Sequence, residues 1–202
     1  MKPSNPILPL SFYAEPSQKI ARNVLGKRLV RTINGKRVGG YIIEAEAYHG
    51  ESDLACHAKA GRTKRTAAMY GPPGHAFIYF TYGNHWMLNF VTDVIDFPSA
   101  VLIRAILPTE GLDEIALRRA GRKQKIWTDG PGKLTKALAI DKSFYGSPLN
   151  EPQNGLWVEE GIEIPNEFIQ IGPRVGLGKT PEPWLSMPWR FLAVNPPEWL
   201  PE

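Results

Sequence analysis

Period-two alternation of apolar and polar residues dominates the chain, and its sharpest stretch is residues 41–48, Tyr-Ile-Ile-Glu-Ala-Glu-Ala-Tyr. Apolar β-formers lead into a strict alternation, which predicts a strand. On a regular strand Tyr41, Ile43, Ala45 and Ala47 share one side, and Ile42, Glu44, Glu46 and Tyr48 share the other. Residues 27–33 read as the preceding strand. Asn34-Gly35 between the two is a strong hairpin signal, because both turn positions need positive φ. Upstream, residues 1–15 read as an irregular Pro-rich arm. Pro16-Ser17 then opens a helix through Leu25, with Ile20, Val24 and Leu25 as its apolar stripe and Gly26 as its stop.

Beyond Gly50 the pattern shortens. Ser52 and Asp53 are placed to cap a short helix over Leu54 to His57, residues 59–65 read as a loop, and a second short helix covers Thr66 to Tyr70. Gly71-Pro72-Pro73-Gly74 breaks it. From His75 to Phe90 two aromatic-rich runs flank Tyr82-Gly83-Asn84, which predicts a β-hairpin with Tyr82 at its tip. A large ring there either folds back and packs locally or is presented outward. Ser99 to Leu107 is a further strand, and Arg104 interrupts its apolar run. A buried guanidinium needs an anion or several acceptors. Glu46 is the obvious partner, in either a structural salt bridge or a working site. Residues 109–120 read as a helix with Leu112, Ile115, Ala116 and Ala120 on one side. Asp129-Gly130-Pro131-Gly132-Lys133-Leu134 leads into another, through Ala139, whose free amides suit an anion although the glycine spacing is not that of a Walker loop. The last third carries short strands at Leu156–Glu159, Phe168–Ile171 and Trp189–Val194, with a tight turn at Arg174-Val175-Gly176-Leu177-Gly178.

Composition narrows the class. A chain of 202 residues that is 43% hydrophobic is long enough for one domain with a real core. The single cysteine, Cys56, excludes an intrachain disulfide and fits a reducing compartment. No apolar run of about 18 residues is present and the N-terminus lacks a secretory segment, so a cytoplasmic protein is expected. The net charge of +4 is mildly basic. It is concentrated in two blocks: Lys59, Arg62, Lys64 and Arg65, then Arg118, Arg119, Arg122, Lys123 and Lys125. Each block alone reads as a solvated face, and the two together are compatible with a polyanion.

The candidate chemistry sits on the 41–48 stretch. Carboxylates two residues apart on a strand lie roughly 7 Å apart at Cα. Glycoside hydrolysis uses two carboxyl groups about 5 to 10 Å apart. Side chains on one strand point in parallel, however, and straddle a bond poorly. One carboxylate activating a water is the simpler scheme, and a nearby anion also stabilises an oxocarbenium-like state. His49, His57, His75 and His85 lack paired ligand spacing for a metal, and no Gly-x-Ser-x-Gly elbow is present.

Several spaced motifs, in order, then resemble the alkyladenine (3-methyladenine, 3-methylpurine) DNA glycosylase family: Ile43-Glu44-Ala45-Glu46-Ala47-Tyr48, Ala55-Cys56-His57, Tyr79 to Asn89, Leu102-Ile103-Arg104-Ala105, Gly130 to Leu134 with Ala137 to Ile140, and Arg174-Val175-Gly176. The resemblance runs from about residue 12 to 194. It implies an α+β fold: a single mixed domain with a curved, mainly antiparallel sheet, surrounding helices and a protruding hairpin. The domain is expected over 1–202, with a flexible arm at 1–11. It also implies a bacterial, monofunctional glycosylase that removes alkylated or deaminated purines, works as a monomer on damaged double-stranded DNA, meets no membrane and uses no metal or cofactor. By position, Glu46 resembles the base that activates water, and Arg104 and the backbone carbonyl of Val175 resemble its other holders. Tyr48, His57 and Tyr79 resemble the walls around a flipped base, Asn89 the group that crowds guanine's amine, and Tyr82 the wedge in the minor groove. The basic blocks then read as phosphate contacts, with Arg62, Lys64, Arg65, Gly132 and Lys133 as the candidates. Cys56 and the apolar 94–98 loop depart from the family pattern. Two other classes compete. A non-catalytic nucleic-acid-binding module has no use for Glu46 facing DNA. A carbohydrate hydrolase using Glu44 and Glu46 leaves the basic blocks and Tyr82 unexplained.

Overall fold

The structure is a computed structural model that describes residues 3–81 and 83–200. Its strands are β1 (Arg28–Ile33), β2 (Lys36–His49), β3 (Ala76–Thr81), β4 (His85–Val91), β5 (Ser99–Glu110), β6 (Leu156–Glu159), β7 (Ile169–Gly172) and β8 (Arg190–Ala193). The helices are α1 (Ser17–Asn23), α2 (Leu112–Arg118), α3 (Pro131–Ala137) and the four-residue α4 (Pro196–Trp199). Among the described residues the eight strands form one sheet in the order β3-β4-β5-β2-β1-β6, with β8 also paired to β2 and β7 to β8. Every pairing is antiparallel. The result is the expected mixed α+β architecture.

β2 is long enough to be shared. One edge pairs with β5 along its length, while the other pairs with β1 over residues 36–41 and with β8 over residues 44–46. The hairpin into β2 turns at Asn34 and Gly35, both with positive φ, as the Asn-Gly signal requires. Alternation then sorts the faces. On β5, Val101, Ile103 and Ile106 enter the main core, while Ala100, Leu102 and Arg104 line a cavity on the opposite face. On β3 and β4, Ala76, Ile78, Leu88 and Phe90 go to the core, and Phe77, Tyr79, Met87 and Asn89 to the cavity.

The strict alternation expected for 41–48 does not hold. The register against β5 shifts between Ile42 and Glu44 and again between Glu44 and Ala45. Such a bulge places an extra residue on one strand and resets the faces beyond it. Ile42 therefore joins Ala45 and Ala47 in the main core, instead of standing beside the glutamates. Glu44, Glu46 and Tyr48 keep their common side.

Other boundaries move for local reasons. β5 runs on to Glu110 where a helix was expected from residue 109, and α2 starts only after Gly111, whose φ of 66° suits glycine. The helix expected over Leu54–His57 is a 3₁₀ turn at His57–Ala60 capped by the Cys56 sulfur, which accepts from the Ala58 amide. Residues of the N-terminal arm lie along β6: the Ser4 amide donates to Glu159, Ile7 bridges to Glu159, and Leu8 is fully buried.

α3 packs on β4, and the contact is close. A Cβ at Gly132 would lie 2.7 to 3.0 Å from the His85 side chain, at the turn end of the β3–β4 hairpin. Gly132→Ala is expected to shift that hairpin and to destabilise the fold by about 1–3 kcal/mol, the range for overpacking. Urea unfolding checks it; a midpoint and slope equal to wild type would contradict the contact.

Candidate active site

Glu46 lies behind Tyr48, Arg104 and Val175, three residues that line the cavity, and its side chain is completely buried. Three donors hold it. The Val175 amide donates to Oε1 at 2.7 Å, Arg104 Nη1 stands 3.2 Å from the same oxygen, and the Tyr48 hydroxyl donates to Oε2 at 2.9 Å. The sequence places Tyr48 there because it follows Glu46 by two strand positions. Arg104 arrives from β5, and Val175 from the glycine-rich turn. Val175 contacts Glu46 through its amide N–H, whereas the resemblance assigned its carbonyl a role toward the water.

Behind Glu46 lies a second carboxylate. Glu44 Oε1 accepts from Arg104 Nε at 2.9 Å and from Arg190 Nε at 2.5 Å. Arg104 therefore spans both glutamates, one through Nε and the other through Nη1. Burial is the largest influence on Glu46 and pushes its carboxyl above the ordinary value. Arg104, the Val175 amide and the Tyr48 hydroxyl pull it down, and Glu44 adds to the rise.

The cavity has a volume of about 420 Å³. That falls in the range of roughly 300 to 1,000 Å³ typical of small-molecule sites. Tyr48, His57 and Tyr79 line it, with Asn89, Arg104 and Val175. His57 meets Tyr79 edge-on, with ring centroids 4.4 Å apart. Burial, helped by Arg65 and Lys59, drives His57 down to about 4, so its imidazole is neutral near pH 7. The Asn89 amide donates to the carbonyls of Phe77 (3.0 Å) and Met87 (3.4 Å), which fixes the side chain in the wall. Each of two aromatic walls is backed by a guanidinium: Arg65 lies 5.0 Å from the Tyr79 ring and Arg174 4.7 Å from that of Tyr48. Burial also pushes the Cys56 thiol up to about 12, which leaves it an inert part of the wall.

The structure thus brings Glu46, Tyr48, His57, Tyr79, Asn89, Arg104 and Val175 to one place. Tyr82, the expected wedge, lies outside the described residues. Of the expected phosphate contacts, Lys64 is exposed, Arg62 pairs with Asp96 at 3.1 Å and Lys133 with Asp129 at 3.0 Å. Arg65 donates to the Phe80 carbonyl, and Gly132 is buried against His85. Sequence reasoning missed two contributors. Asp53 was read as a helix cap and Arg174 as part of a turn, yet they form a fully buried ion pair. They are 121 residues apart, and no local pattern couples them. Among the described residues, no group of three or more His, Cys, Asp or Glu side chains is arranged to hold a metal ion, and no helix is long and apolar enough to cross a membrane.

Comparison with known proteins gives the family. A family model described as methylpurine-DNA glycosylase matches residues 11–197. A protein of Chlorobaculum parvum is 43% identical over 92% of this chain and 87% of its own length. One of Bacillus licheniformis is 44% identical over 95% of each chain, and one of Carboxydothermus hydrogenoformans is 41% identical over 94% and 96%. All three are named "Putative 3-methyladenine DNA glycosylase".

Proposed function

Because this chain belongs to the methylpurine-DNA glycosylase family, we propose that it acts in base excision repair by hydrolysing the N-glycosidic bond of alkylated or deaminated purines flipped out of duplex DNA. The observation that carries this reading is Glu46. A carboxylate that is fully buried and cradled by three donors whose residues line an aromatic cavity is poised to act on one bound group.

The steps follow from the groups present. A purine turned out of the stack enters between Tyr48 on one side and His57 with Tyr79 on the other. Stacking returns about 1–3 kcal/mol per base toward the few kcal/mol lost on flipping. A neutral His57 suits a cationic alkylated base, because a protonated imidazole would repel it. A water between Glu46, Arg104 and the Val175 turn attacks C1′ as the glycosidic bond opens. Glu46 takes the water's proton, and its charge stabilises the oxocarbenium-like state. A cationic alkylated purine leaves as a neutral base without protonation, a deaminated purine leaves as an anion that takes a proton from solvent, and an abasic site remains. A carboxyl raised toward neutral pH accepts a proton better than an ordinary glutamate does.

The reading is tested with duplexes that each carry one 7-methylguanine, hypoxanthine or ethenoadenine, followed by alkaline cleavage at any abasic site formed. Strand cleavage at the lesion is expected for at least one of them; intact strands throughout would overturn the reading. For the hairpin tip, Tyr82→Ser is expected to weaken binding to a lesion duplex roughly tenfold, the loss of one stacking contact. Fluorescence anisotropy measures this, and unchanged affinity would remove the wedge role.

A further inference from the structure

We propose that the buried Asp53–Arg174 pair is a positioning device for Glu46, locking together the three chain segments that build the site. The proposal rests on the reading of Glu46 as the working carboxylate. The segments are β2, the 53–57 loop and the 174–176 turn. Arg174 reaches all of them. Its Nη1 donates to the Ala47 carbonyl at 2.9 Å and to Asp53 Oδ2 at 2.5 Å, and its Nη2 donates to Asp53 Oδ1 at 2.9 Å and to the Trp184 carbonyl at 3.2 Å. Asp53 in turn accepts from the His49 amide on β2 and from the Ala55 amide at the cavity wall. Both side chains are wholly buried.

The connection to Glu46 is short on two sides. Val175, whose amide holds Oε1, is the next residue after Arg174. Tyr48, whose hydroxyl holds Oε2, has its ring against the Arg174 guanidinium, and Trp189 covers that guanidinium at 5.0 Å. Two of the three donors to Glu46 are therefore placed by one side chain. A buried ion pair adds little net stability over an apolar pair of the same volume. What an apolar pair lacks is four directed bonds from the 174–176 turn to β2, the 53–57 loop and the Trp184 carbonyl. Lysine keeps the charge but not the planar fork, so it cannot reproduce the set.

Glu46 is faced by Glu44 and Tyr48 on β2, Arg104 on β5, Arg190 on β8, the turn at Arg174 and Val175, and His57 with Tyr79 across the cavity. In Arg174→Lys the Arg104 and Glu44 contributions stay, while the Val175 amide and the Tyr48 hydroxyl loosen. The Glu46 titration is then expected to move up by about one unit. It is followed by NMR of ¹³Cδ-labelled glutamate and assigned with Glu46→Gln. Single-turnover excision is expected to fall about tenfold or more, with duplex affinity within about threefold of wild type.

An unshifted Glu46 titration in folded Arg174→Lys overturns the positioning role, whatever the excision rate. Wild-type protein that excises nothing, beside a shifted titration, overturns the glycosylase reading and leaves the positioning role standing. If Arg174→Lys does not fold, Asp53→Asn carries the same measurement. Its amide keeps one acceptor toward the guanidinium and loses the other with the charge, and an unshifted titration there is the overturning result.

Discussion

Glu46→Gln is expected to leave a folded protein whose single-turnover excision of an alkylated purine falls about a thousandfold, within the range for losing a general base. The amide matches the shape and the bonds. Its oxygen still accepts from the Val175 amide and Arg104, and its nitrogen donates to the Tyr48 hydroxyl. Only proton uptake and the negative charge are lost. Stability moves the other way. Burial holds the folded Glu46 carboxyl above its unfolded value of 4.5. A carboxyl raised in this direction contributes stability when protonated, fully present below the unfolded value and lost as pH rises through the folded one. Wild type therefore loses this contribution as pH rises through the folded value, whereas glutamine, which cannot ionise, does not. Thermal melts should place Glu46→Gln at or above wild type at pH 7, with the difference closing toward pH 4. Equal excision by the two proteins would sink the catalytic assignment. Lower activity together with a much lower melt at pH 7 would mean that Glu46 is structural.

Asp53→Ala is expected to cost about 3–5 kcal/mol of stability, the loss typical when one partner of a buried ion pair is removed. Arg174 has no exposed side-chain surface, so the uncompensated charge cannot turn to water. Its remaining bonds go to the Ala47 and Trp184 carbonyls, which do not neutralise it. The His49 and Ala55 amides lose their acceptor as well. For a chain of this length the expected fall in Tm is about 6–20 °C. Calorimetry of the two proteins decides it; a fall under about 2 °C would show that the pair is solvated or dispensable. Asp53→Asn should fall between the two, because the amide oxygen keeps one acceptor toward the guanidinium.

Much of this was legible in the chain. The β1–β2 hairpin followed from Asn34-Gly35, because few residue pairs accept positive φ at both turn positions. Period-two alternation placed Val101 and Ile103 on one face of β5 and Arg104 on the other. The expectation that Arg104 needs an anion was met by two, since an unpaired guanidinium in an apolar strand is too costly to keep. The bulge that turns Ile42 into the core was not legible. Alternation counts residues along one strand, whereas a bulge is a mismatch between two. For the same reason β5 extended to Glu110 against expectation: its last residues are held by pairing with Gly39 and Gly40 of β2.

What the sequence by itself determined is local: which stretches are strands, where the hairpins turn, which side of β2 carries Glu44, Glu46 and Tyr48, and, through its ordered motifs, the family to which the chain belongs. The tertiary structure alone decided how the two glutamates differ. Glu46 received the Val175 amide, and Glu44 received Arg190 from β8. Both outcomes depend on segments well over a hundred residues downstream. Side-chain periodicity is set by neighbours in the backbone, whereas burial, hydrogen-bond partners and the resulting acidity are set by whichever distant segments the folded chain packs there.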